Sequence, residues 1–113
     1  MFIKVLQIIA VIATILTGLV SLVNPRGVEG FTGLTAPGPR GITEIRSILG
    51  GVFIGLGIAV FLLGTRETYQ MLGIMYFAIG VVRFISIFWD KSSEQSNWIS
   101  LVVEIVFGVI LII

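Results

Sequence analysis

The sequence predicts an all-α integral membrane protein, a single bundle of four transmembrane helices running up-down-up-down. Composition gives the first reason, since 57% of the 113 residues are hydrophobic and 12% charged, against roughly 25% charged in an average soluble domain. The mean hydropathy of +1.14 gives the second. The third is distribution: the apolar residues gather into four runs, separated by turn-forming and charged residues, each about long enough to cross a hydrocarbon core of roughly 30 Å as a helix.

The first run, about residues 5–23, carries no charge. Gln7, Ala10, Thr14, Thr17, Ser21 and Asn24 follow steps of three and four along it and so share one helical face. That face is expected to look inward, either for packing or to line a ligand site. Met1-Phe-Ile-Lys4 before an apolar run has the outline of a signal peptide. The run is long, however, and lacks a small-x-small cleavage site, so it is read as a retained first span.

Asn24-Pro25-Arg26-Gly27 should stop the helix, because proline cannot continue it. A glycine- and proline-rich loop over about 24–41 follows, with an apolar island at Phe31-Thr-Gly-Leu34. A loop of this length in a compact bundle is expected to act as a lid or as an interfacial anchor. The second span is placed at 42–63, with Gly64-Thr-Arg66-Glu67-Thr68 as a tight turn into a third span at 69–89. Asp90 to Asn97 forms a hydrophilic loop before a fourth span at 98–113. Four spans put both termini on one side. Lys4 and Arg66 lie on that side, while Arg26, Arg40 and Lys91 lie in loops diluted by length and neighbouring acids, so the termini are expected in the cytoplasm.

Several function classes drop out. With neither Cys nor His, disulfides, thiolate nucleophiles, zinc sites, histidine-ligated haem and the usual general base are unavailable, and no metal or cofactor is expected. A net charge of +1 with no basic run sets nucleic acid aside.

What chemistry the chain holds is in its intramembrane charges. Trp89 and Trp98 flank the third loop, where indoles prefer the interface, and Arg83 and Glu104 each lie six residues inward of one of them. Both are therefore roughly 9 Å below the same surface on consecutive antiparallel helices, which makes an ion pair natural. Glu44 and Arg46 enter the second span from that side, about 200° apart around their helix. The expectation is one Glu/Arg layer of Glu44, Arg46, Arg83 and Glu104, in which Arg83 pairs with Glu104, Glu44 shares an arginine and Arg46 reaches the headgroups. Thr17, Ser21, Asn24 and Ser100 are candidates to line a pocket beside it. The layer reads either as a buried network fixing helix register or as a polar pocket for a small amphiphile, with a proton or ion path a further reading. Gly50, Gly51, Gly55 and Gly57 of the second span, with Gly80 and Gly108, are expected to let helices approach closely.

The first span ending in Asn24-Pro25, a glycine-rich loop, and then Thr43-Glu44-Ile45-Arg46-Ser-Ile-Leu-Gly50-Gly51 together resemble the DoxX-like superfamily of small bacterial four-helix membrane proteins. The likeness is nearest to one of that group's domain-of-unknown-function families. It implies a four-helix bundle in the bacterial cytoplasmic (inner) membrane and supplies no activity. The expected function is non-enzymatic: an accessory or assembly subunit of a larger membrane complex, or a homo-oligomer. The alternative is a protein that binds or transports a lipid, quinone or other amphiphile.

Overall fold

The structure is a computed structural model describing residues 1–113. It is all helical, with four helices long and apolar enough to cross a membrane: Phe2–Val23, Pro39–Leu63, Arg66–Trp89 and Gln95–Ile112. Between 17% and 28% of the most apolar stretch of each is buried within the protein. Residues such as Leu62, Leu63, Ile74 and Val102 are more than half exposed, a surface suited to lipid rather than water. This is the build of a multi-pass membrane protein. The helices start earlier than the apolar runs suggest, because polar first turns such as Pro39-Arg-Gly and Arg66-Glu-Thr are helical too.

The chain divides into two compact units, Met1–Ala10 with Thr65–Ile113, and Val11–Gly64. In the second of these, the first helix ends at Val23 and its chain turns through a short 3-10 segment, Pro25–Val28. One helical turn, Glu29–Thr32, then closes on Gly33, whose φ of 74° suits a residue without a Cβ. Pro39, with its φ already set, starts the next long helix behind Gly38. The loop is thus not open chain. Val28 and Ala36 pack on Ile45, joined by Ile42 and Leu49, so the loop makes a small core with the entrance of its own following helix. Phe31 and Leu34, the apolar island, remain exposed, as an interfacial anchor requires.

Within the Pro39–Leu63 helix, Ile45–Val52 winds as a π-helix, a widened form frequently found at functional sites. It meets the first helix through glycine. A Cβ on Gly18 would lie 2.8 Å from the Gly50 carbonyl oxygen and 2.9 Å from the Ile54 nitrogen, so the two backbones touch there. Gly57 leaves room for Ile15 in the same way. Gly55 has nothing within 4 Å and Gly51 only its own helix's Arg46 carbonyl, so of the expected packing glycines in this span Gly50 and Gly57 make the contact, while Gly51 and Gly55 face outward.

In the other unit, Thr65 caps the third long helix by accepting from the Thr68 amide, and Asp90–Glu94 reverses the chain into the fourth. The antiparallel pair interlocks along its length. Phe77 lies over Gly108 at 3.1 Å from a would-be Cβ, Gly73 admits the Gly108 carbonyl and Leu111, and Gly80 admits Ile105. Leu72, Ile87 and Leu111 are fully buried, and Tyr76 meets Phe107 edge to face. At the other end Lys4 lies over the Tyr69 ring, and Gln7 donates to the Ile110 carbonyl at 3.0 Å. Gln7 and Arg66, which reaches the Ile113 carbonyl, satisfy acceptors a helix end would otherwise leave orphaned.

Candidate functional site

The site is built on the pairing of the third and fourth long helices. Gly80 admits the Ile105 side chain one turn from Arg83, and the Asp90–Glu94 turn sets the register of the two helices so that Arg83 faces Glu104. The Arg83 Nε donates to both carboxylate oxygens, at 2.8 and 3.0 Å, and Nη2 donates to Oε2 at 2.7 Å. Such a side-on bidentate pair is among the stronger side-chain interactions, and fixes direction as well as charge. Its third nitrogen, Nη1, donates to the Asn97 Oδ1 at 2.8 Å, and Asn97 Nδ2 donates on to the Ser92 carbonyl and hydroxyl. Asn97 lies two turns before Glu104 on one helical face. The loop, the asparagine, the arginine and the glutamate thus form one continuous hydrogen-bonded chain. Each buried side-chain polar atom has a partner.

The arrangement is not closed. The Glu104 side chain is 10% exposed but that of Arg83 is 30%. A guanidinium has five N–H groups, and these bonds leave Nη1 and Nη2 one each. Arg83 lines a cleft of about 540 Å³. Ala78, Ile79 and Val82 form its apolar end, and Ser86, Asp90, Ser92 and Asn97 its polar end, nearest the loop. Spaced at three, four and four residues, Val82, Ser86 and Asp90 with Ile79 share a face of the third helix, and Arg83 borders it.

The other predicted charges behave differently. Glu44 pairs with Arg40, one turn earlier on the same helix, and both are exposed. Arg46 is exposed and its Nε donates to the Leu22 carbonyl at 3.1 Å, joining the entrance of the second span to the end of the first. The four-charge layer therefore resolves into one buried pair, Arg83 with Glu104, and two local tethers. An exposed i,i+4 partner for Glu44 costs no desolvation, which is why Arg40 takes it.

Of the pocket candidates, Ser21 is buried and donates to its own helix at the Thr17 carbonyl, while Thr17 donates to Ala13 and is itself exposed. Asn24 is exposed and Ser100 half-buried. None of these four lines the cleft. Thr14, fully buried, carries the inward polar face instead. The polar cleft residues that sequence reasoning passed over as site residues are Ser86, Asp90, Ser92 and Asn97. Their signal was present: Ser86 and Asp90 follow Arg83 by three and seven residues, one face of one helix.

The arrangement offers hydrogen-bond donors with a polar end toward the loop and an apolar end away from it, which is equipment for binding. The family described as a domain of unknown function (DUF4345) matches residues 2–113. The chain belongs to this family. No curated protein and no solved structure matches it. For a member of an uncharacterised family, function has to be argued from the site.

Proposed function

We propose that this protein is a non-enzymatic multi-pass membrane protein that binds an amphiphile in the cleft beside Arg83. One observation carries the reading: Arg83, fixed by Glu104 and Asn97 yet 30% exposed and with two N–H groups uncommitted, lines the cleft between its apolar and polar ends. A pair serving only to lock two helices gains nothing from such a cleft. The groove, of about 540 Å³ and open along one side, has room for part of an amphiphile. The Arg83–Glu104 pair is then both lock and receptor, because the interaction that fixes the helices also aims the donors. The likeness to the DoxX-like superfamily and a place in the bacterial inner membrane belong to this proposal.

The test is native mass spectrometry of the protein gently released from membranes. A mass adduct is expected on the wild type and should be lost from Val82→Trp, which fills the cleft from an exposed position and leaves the ion pair alone. An adduct of equal occupancy on both proteins, or none on either, overturns the reading.

A second reading, an accessory subunit or homo-oligomer, is favoured by Gly51 and Gly55. They form a small-xxx-small pair with no neighbour of their own, the pattern through which membrane helices associate. Cross-linking in membranes through this face would support it. A monomer that co-purifies with no constant partner would remove it.

A further inference from the structure

The charges around the cleft narrow its ligand, and we propose that it takes a zwitterionic phospholipid with an ammonium outside its phosphate, seated in the ordinary orientation of a lipid in that leaflet. This rests on the cleft's being a ligand site.

Three features decide the class. Arg83 is already matched by Glu104, so the pair together is neutral and does not by itself attract an anion strongly. Asp90, at the outer end of the cleft, adds a negative charge there. A purely anionic headgroup would meet Arg83 favourably but face Asp90 at the cleft's lining, and a purely cationic one would meet Arg83. A phosphate on the two remaining Arg83 N–H groups and the Ser86 hydroxyl, followed outward by an ammonium at Asp90, continues the series as Glu104, Arg83, phosphate, ammonium, Asp90. Signs alternate at every step. Such charge-assisted hydrogen bonds are the strong ones.

Geometry agrees with this order. Ala78 to Asp90 spans roughly 18 Å of helix, with the apolar residues at the inner end and Asp90 beside the interfacial Trp89. The polarity gradient of the cleft runs in the direction of a lipid's own, acyl chain innermost and amine outermost. A quinone or other uncharged amphiphile would use the apolar end and leave Asp90 without a role.

The experiment is a competition read by native mass spectrometry. Purified protein in an uncharged detergent is given equal amounts of phosphatidylethanolamine, phosphatidylglycerol and diacylglycerol with identical acyl chains, and separately glycerophosphoethanolamine, the headgroup without chains. The wild type should retain phosphatidylethanolamine in preference to the others, and the headgroup alone should not be retained. Asp90→Asn, a surface change in the loop, should reduce that preference about fivefold, the size expected of one charge pair at a wet boundary. Phosphatidylglycerol retention should be equal or improved. Val82→Trp should lose all lipids. Preference for phosphatidylglycerol or diacylglycerol, or an unchanged preference in Asp90→Asn, overturns the zwitterion assignment while leaving the cleft a ligand site. Headgroup retention equal to the lipid's overturns the lipid assignment. Retention unaffected by Val82→Trp, or absent from the wild type, overturns both.

Discussion

Glu104 is the residue on which stability and function meet. Its carboxylate is buried and wholly committed to Arg83, so removing it leaves a half-buried guanidinium without its counter-charge. Glu104→Leu should therefore lower stability by about 3–5 kcal/mol, as breaking one side of a buried pair does. Arg83→Met with Glu104→Leu should recover most of that loss, because no uncompensated charge remains. Thermal unfolding in detergent measures both. Asn97→Leu removes the acceptor of Nη1 and the donor to Ser92 and should cost about 1–3 kcal/mol, with a loop more open to proteolysis. The pair itself was legible in the sequence: two tryptophans served as depth marks, and equal distances inward predicted it. Ser92 as part of the site was not, since a loop serine beyond the helix end carries no periodic signal of its own.

At the scale of the element, glycine decides which helices touch. In the second span the sequence offered Gly50, Gly51, Gly55 and Gly57, and only Gly50 and Gly57 meet the first helix. The physical reason the rest was hidden is the π-helix at Ile45–Val52, which adds residues per turn and shifts faces away from a 3.6-residue count. Gly18 was passed over because one glycine in an uncharged run looks incidental. A Cβ there would press on the Gly50 and Ile54 backbone, which cannot swing aside, so Gly18→Ala should destabilise by about 1–3 kcal/mol, as overpacking does. Gly55→Ala, in open space within a helix, should instead be neutral or stabilising by up to about 1 kcal/mol. Thermal unfolding of the two variants side by side checks the contrast. The loop of residues 24–41 was read as lid or anchor. Its fold onto Ile45 follows from Val28 and Ala36, two small apolar residues whose spacing matches no regular element and so gives no pattern to read.

On the four-span reading, the loop of 24–38 and the Asp90–Glu94 turn belong on one side of the membrane and the Gly64-Thr65 turn on the other. The chain has no cysteine, so single introduced cysteines report cleanly. Thr35→Cys and Ser93→Cys should react with an impermeant maleimide from the same side of intact cells, and Glu67→Cys from the opposite side. A common side for all three would contradict the four-span reading. This level was the most legible, because hydrocarbon thickness dictates run length directly. What the apolar runs did not carry was the site, which depends on a handful of polar residues. Its central claim is that the Arg83–Glu104 pair is a receptor as well as a lock. The most direct measurement is ligand retention by the stabilised Arg83→Met, Glu104→Leu double variant in native mass spectrometry. A folded double variant that has lost the ligand is the result predicted; one that retains the ligand at wild-type occupancy would show the pair to be structural alone.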